Sequence, residues 1–311
     1  MSIAWSDTEN STGSLVKRPL YIAMLLFAAG IISLRSPGQL EQCTRLAAIF
    51  AALAAGISLA YFLYRTPYFP GRRLLGYGAL YNPLLTAHVF GAFAAFWLAS
   101  WFQARSAFSP LPLVCLAILG GALLATGSRT PLIGLAAALG WLLVVGDRKR
   151  GMLAISVVVL ALVSLVLMYP EAITQRGVSF RPAIWMDALR QISEHPWLGH
   201  GFDSPMTVIL PGLKPLADPH NIELGVLYAG GIVGLVLWMA LYGLAMYFSW
   251  VYRKHPAVTL AATWLIFGFA SGLTEGSAFM SRPKEHWFLI WIPMALVYGQ
   301  SLIHWKRQRS A

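Results

Sequence analysis

The chain has 311 residues, of which 58% are hydrophobic and only 11% charged, with a formal net charge of +11. A soluble domain carries roughly 25% charged residues, so these proportions exclude an ordinary soluble enzyme and point to an all-α polytopic membrane protein. The positive balance implies no nucleic-acid partner, because membrane proteins concentrate Lys and Arg at their loop ends. Cys43 and Cys115 lie in or beside apolar runs without metal-like spacing, which argues against a disulfide framework or a zinc site.

Residues 1–18 are polar (Ser6, Asp7, Thr8, Glu9, Asn10, Ser11) and read as an amino-terminal tail, with no cleavable signal peptide evident. Residues 19–311 then read as a single membrane domain. Nine apolar runs follow, at about 19–34, 45–64, 83–102, 111–127, 131–146, 151–168, 222–251, 257–273 and 287–303. A spanning helix needs about 20 residues, so 19–34, 111–127 and 131–146 are the weakest. The last two are separated by Gly127, Ser128, Arg129 and Thr130, with Pro131 placed as a first helical residue, and read as a tight hairpin at one membrane surface.

Lys and Arg set the orientation. Arg148, Lys149, Arg150, Arg253, Lys254, Lys306, Arg307 and Arg309 fall on one side if the runs alternate, and that side is assigned to the cytoplasm. The 169–221 loop, the Ser128–Arg129 turn and the 274–286 loop then face outward. Lys17, Arg18, Arg65, Arg72 and Arg73 also fall outside, so either a front element is miscounted or these cations face out for a reason.

The loop 169–221 is the one long polar stretch, and loops of this length are usually functional or disordered. Its Trp, Pro, Gly and His content disfavours disorder. Within it, 181–194 reads as an amphipathic helix opened by Pro182, with Ile184, Trp185, Ala188, Leu189 and Ile192 on one face and Asp187, Arg190, Gln191 and Glu194 opposite. Arg190 reads as a solvated surface residue. Arg181 projects with the apolar face, where a cation wants either a buried carboxylate or a ligand phosphate. Arg129, in a turn between two apolar helices, is a functional candidate by its depth, with a lipid-headgroup contact as the bland alternative.

His220 and Asn221 end the loop and open the run 222–251, with Gly231 and Gly234 further along. Those glycines would let another helix pack closely and hold His220 on a rigid element. A neutral imidazole there could serve as general base; an interfacial capping histidine is the alternative. Arg129, Arg176, Arg181 and His220 share one compartment in this topology, and guanidinium forks suit phosphate. His195 and His200 make no metal motif. Glu275, Arg282, Lys284, Glu285 and His286 read as a solvated outer connection, and His88 as a hydrogen-bonded interior residue. No nucleotide-binding motif occurs.

Three places together resemble the O-antigen ligase and polymerase superfamily of bacterial envelope glycan enzymes. They are Thr126, Gly127, Ser128 and Arg129 before an apolar helix; Arg181 and Trp185 followed by His195, Pro196, Trp197, Leu198, Gly199, His200 and Gly201; and His220 and Asn221 followed by Gly231 and Gly234. The resemblance spans roughly 126–234. It implies a metal-independent glycosyltransferase of the bacterial inner membrane, with its site facing the periplasm and no cofactor. The donor would be an undecaprenyl-diphosphate-linked glycan and the acceptor a sugar hydroxyl of lipid A–core, with membrane lipids around both. Arg129 and Arg181 would hold the diphosphate, with Arg176 a further candidate, and His220 would activate the acceptor hydroxyl. Asn221, Ser128, Trp185, Gly231 and Gly234 would support them. A repeat-unit polymerase or a protein oligosaccharyltransferase shares these residues. A transporter of lipid-linked glycans would show inverted repeats, which are not visible, and an inactive relative would tolerate substitution at Arg129, Arg181 and His220.

Overall fold

A computed structural model describes residues 2–65, 72–168, 180–210 and 215–310. Ten α-helices run through these residues: α1 (Thr12–Arg35), α2 (Gln39–Arg65), α3 (Pro83–Gln103), α4 (Pro110–Thr126), α5 (Thr130–Val145), α6 (Arg148–Met168), α7 (Arg181–Ile192), α8 (Ile222–Val251), α9 (Pro256–Gly272) and α10 (Trp291–Ser310). Nine correspond to the nine apolar runs, and α7 is the amphipathic helix of the long loop. The chain is a polytopic membrane protein. Five of its helices are long and apolar enough to cross a bilayer, while α4, α5 and α9 are shorter apolar helices. The starts follow local chemistry. Proline occupies the first turn of α3, α4, α5, α7 and α9, where its missing N–H costs nothing. Ser11, Asn82 and Asn221 cap α1, α3 and α8 with side-chain oxygens.

The centre of the bundle is α3. Its small residues Ala87, Ala92, Ala94, Ala95 and Ala99 are buried alongside Phe90, Phe96 and Trp97. It packs against α4, α5 and α9, so close helix approach and aromatic filling coexist. By contrast α1 and α2 present Phe27, Phe50, Ile57 and Tyr64 outward, as lipid-facing helices do.

Turns gather on two opposite ends. At one end Arg150 Nη1 donates to the carbonyls of Trp101 (2.6 Å) and Phe102 (2.9 Å), and Gln103 Nε2 donates to the Pro256 carbonyl (2.8 Å). At the other, Arg73 Nε donates to the Thr126 carbonyl (2.6 Å), and Arg18 binds Asp203. Arg18 and Arg73 therefore have partners at the end that carries the long loop, which is the reason these front-half cations lie there. The polar start also contributes to this end. Residues 2–5 form a 3-10 helix, the Ser6 hydroxyl donates to the Phe202 carbonyl, and α1 begins at Thr12.

One expected motif changes. The turn 127–129 does not pair α4 with α5 as a tight hairpin. With Gly127 left-handed (φ 62°) at the end of α4, the chain parts the two helices: α4 packs on α3 and α2, and α5 on α9 and α3.

Candidate active site

The long loop is held to the bundle by a break in α8. Gly231 has φ 60° and ψ −162°, a backbone that favours glycine, and a β-carbon there would collide with the Trp197 carbonyl. The loop backbone fills the gap. Ile232 N–H bonds to Pro196 O (2.8 Å), Val233 N–H to Trp197 O (3.3 Å), His200 N–H to Tyr228 O (2.8 Å) and Gly201 N–H to Ala229 O (3.1 Å). Gly231 is thus a seat for the 195–201 segment rather than a helix-packing face, and Gly234 meets only its own helix near Val226. His200 stacks on Tyr228 at 4.2 Å and bonds Gln191 O, a structural role.

Above this seat α7 buries Ile184, Ala188 and Ile192, while Leu189, expected on the same face, is 48% exposed. Arg190 lies exposed and pairs with Asp187 and Glu194, as a surface residue does. The half-buried Trp185 donates Nε1 to the Pro219 carbonyl (3.0 Å). Asp218 Oδ1 accepts from the His220 N–H (2.7 Å), and Asn221 bridges α8 to α9 by accepting from Leu224 N–H and donating to Leu273 O, each at 2.9 Å. These contacts hold His220 at φ 50°, a left-handed conformation costing roughly 1–2 kcal/mol for a non-glycine residue.

His220 Nδ1 lies 3.2 Å from Glu275 Oε1, and Glu275 Oε2 accepts from Arg181 Nη2 at 3.2 Å. The same Nη2 is 3.3 Å from Thr130 Oγ1. One buried carboxylate therefore links α7 to the start of α8, and Arg181 extends the link to the first residue of α5. Donating a hydrogen bond to the Glu275 carboxylate holds the His220 imidazole above its ordinary range, against partial burial. Burial pushes the Glu275 carboxyl up, but the His220 hydrogen bond and the neighbouring positive charges outweigh it and leave the carboxyl below its usual range.

Of the site residues expected from sequence, Arg181 and His220 are joined through Glu275, while Trp185 and Asn221 hold the segment that carries His220. Ser128 is buried and Arg129 exposed in the turn that leads into Thr130 of α5. Arg176 lies outside the described residues. Glu275 was expected in a solvated connection, yet it is 5% exposed, and His286 beside it is buried too. The available signal was its position. An isolated carboxylate just past the end of an apolar helix faces the negative end of the helix dipole, so it needs cationic partners. His88 is fully buried, and neither ring nitrogen has a hydrogen-bond partner among the described residues, contrary to the expected hydrogen-bonded role. Among the described residues no three His, Cys, Asp or Glu side chains group so as to hold a metal ion.

A family model described as O-antigen ligase matches residues 113–239, from within α4 into α8. An O-antigen ligase of Pseudomonas aeruginosa is 60% identical over 312 aligned residues, which cover 100% of this chain and 76% of that protein. The chain belongs to the O-antigen ligase family. It is a glycan-transferring membrane enzyme, and the matched segment carries the Ser128–Arg129 turn, α7, the loop seat and His220. Glu275 lies beyond that segment, so the carboxylate that joins Arg181 to His220 comes from outside the part of the chain that the family model describes.

Proposed function

We propose that this ligase transfers a glycan from undecaprenyl diphosphate to a sugar hydroxyl of lipid A–core, at the periplasmic face of the inner membrane. The observation that carries the reading is the bridge from Arg181 through Glu275 to His220. A hydroxyl nucleophile needs a base, and a diphosphate leaving group needs cations as its charge develops. Glu275 and the loop 218–221 fix the imidazole, with Nδ1 turned to the carboxylate and Nε2 left to accept the proton of the attacking hydroxyl. The new glycosidic C–O bond forms at the anomeric carbon as its bond to the diphosphate breaks. Undecaprenyl diphosphate then leaves against Arg181 and Arg129, with Arg176 as a further contact. Metal plays no part in this scheme.

A deletion strain complemented with wild type, His220→Ala, Arg181→Ala or Arg129→Ala tests it. Wild type restores long glycan on lipid A–core, and the three variants, expressed at equal level, accumulate the undecaprenyl-linked polymer. Variants that work like wild type overturn the site. A wild-type effect confined to chain length or to protein glycosylation overturns the acceptor.

A further inference from the structure

Beside the His220–Glu275 pair lies a cavity of about 520 Å³, within the roughly 300–1,000 Å³ of typical ligand sites. It is an open cavity lined by Asn10 and the first turns of α1, the segment 202–206, the first turns of α8 and the loop 277–284. Pro219, which precedes His220, and Ser277, two residues after Glu275, belong to its wall, whereas Arg129 and Arg181 do not. The arginines assigned to the leaving group are thus separate from this cavity. In a displacement the nucleophile approaches away from the leaving group, so a cavity whose wall lacks those arginines suits the nucleophile's carrier.

Its chemistry fits an anionic sugar. Four charged residues line it: Arg18, Asp203, Arg282 and Lys284. Arg18 and Asp203 cancel through two hydrogen bonds of 2.5 and 3.3 Å. Arg282 is exposed, and its one side-chain hydrogen bond to another described residue goes to the neutral Ser14 hydroxyl (3.2 Å). Lys284 is exposed and has no ion pair among the described residues. Among the described residues, these two positive charges have no carboxylate within ion-pair distance. Hydroxyls of Ser204, Ser277 and Ser281 share the lining, and the buried Ser281 Oγ has no hydrogen-bond partner among the described residues. Phe202 and Phe279, edge-to-face at 5.9 Å, add apolar surface against which sugar C–H faces can pack. Cations for an anion, hydroxyls for hydroxyls and aromatic rings together describe a glycan subsite.

We propose that this cavity is the acceptor subsite, and that Arg282 and Lys284 bind a phosphate on the sugar chain that presents the attacking hydroxyl to His220. The proposal rests on the ligase reading above for the position of the base and of the donor arginines. A phosphate at these cations could come from the acceptor glycan or from a neighbouring lipid headgroup, and the test separates the two.

The full chain is placed in nanodiscs of zwitterionic lipid and offered purified lipid A–core, native or dephosphorylated. Binding is measured for wild type, Arg282→Gln, Lys284→Gln and the double variant, and transfer is measured from an undecaprenyl-diphosphate-linked glycan. The double variant weakens binding of native acceptor and raises its KM about tenfold, as expected for losing charge-assisted contacts. It leaves kcat and the donor KM within about twofold of wild type, because the cations do not touch the reacting atoms. On dephosphorylated acceptor the substitutions cost nothing further. Equal loss on both acceptors, a raised donor KM, or an effect that appears only with anionic lipid overturns the proposal. So does wild type that binds native and dephosphorylated acceptor equally well, a comparison that needs no variant to fold. If wild type binds acceptor but transfers nothing, the ligase reading fails while the binding arm still decides the subsite.

Discussion

Replacing Glu275 by Gln keeps the shape of the side chain and removes its charge, and so isolates what the buried carboxylate does for His220. The carboxylate sits 3.2 Å from both His220 Nδ1 and Arg181 Nη2. At that separation and an effective dielectric of about 20, each Coulomb attraction is roughly 5 kcal/mol as an upper bound. Burial of the carboxylate opposes much of this, and a hydrogen bond to a charged group nets roughly 1.5–3 kcal/mol. If the bond to His220 acts in the transition state, where the imidazole gains a proton, that range corresponds to a fall in kcat of roughly 10- to 150-fold. The pH profile adds a second readout. Glu275 raises the His220 pKa, and a general base works when neutral, so wild-type activity climbs with pH through a value above the ordinary 6.5. Without the carboxylate that acidic limb moves to lower pH, even as the plateau falls. The assay is steady-state transfer by purified wild type and Glu275→Gln between pH 5 and 9, with insertion and melting checked. A folded Glu275→Gln enzyme with wild-type kcat and an unmoved acidic limb would refute the coupling and leave Glu275 a structural tie.

Further predictions follow from the same contacts. The stability difference between wild type and Glu275→Gln, read by thermal unfolding in detergent, is largest between about pH 4.5 and 6.5, the ordinary values of the two groups. Glu275, depressed in the fold, contributes above 4.5 and loses this as pH falls through its folded value; His220, raised in the fold, contributes below 6.5 and loses this as pH rises through its folded value. Outside that window the difference narrows, on the alkaline side to what Arg181 retains. Gly231→Ala strains a left-handed residue and pushes the 195–201 segment off its seat, costing roughly 1–3 kcal/mol in melting measurements. Gly234→Ala, whose nearest neighbour would be Val226 O at 3.6 Å, is tolerated, and equal effects at the two glycines would refute the seat. Trp185→Phe removes the hydrogen bond to Pro219 O and destabilises by about 1 kcal/mol, with kcat lowered more than KM because the loop carrying His220 loosens. Arg18→Gln unties the amino-terminal segment from Asp203 and lowers unfolding stability by about 1 kcal/mol, the pair being partly exposed.

Much of the architecture was legible because a bilayer enforces it. Each spanning segment must satisfy its own backbone polar groups, so helices show in sequence as continuous apolar runs, and the nine runs recur as nine helices. Pro131 and Pro182 marked helix starts for the same local reason, whereas the cap on α8 is Asn221 rather than the histidine weighed for that role. His220 and Arg181 stood out because polar residues are rare in such a chain. The contacts between them were not legible. Glu275 is 55 residues from His220 and 94 from Arg181, and its loop looks balanced in charge until α9 brings its end beneath α7. Gly231 was visible as a small residue, but its positive φ depends on the 195–201 backbone that fills the break.

The sequence by itself determined the class of protein, the number of helices and the apolar stretch at the centre of each, and which polar residues were too costly to be incidental, although α1 begins at Thr12, inside the expected tail 1–18. Those properties depend on transfer from water to lipid and on nearest-neighbour backbone chemistry, which act residue by residue along the chain. The tertiary structure alone decided which carboxylate Arg181 meets, that His220 shares it, how the long loop is seated in α8, and why Arg18 and Arg73 lie at the site's end of the bundle. Each is a pairing between segments distant in sequence. A charge states only that a partner is needed, and the packing of α5, α7, α8 and α9 selects which one comes within reach.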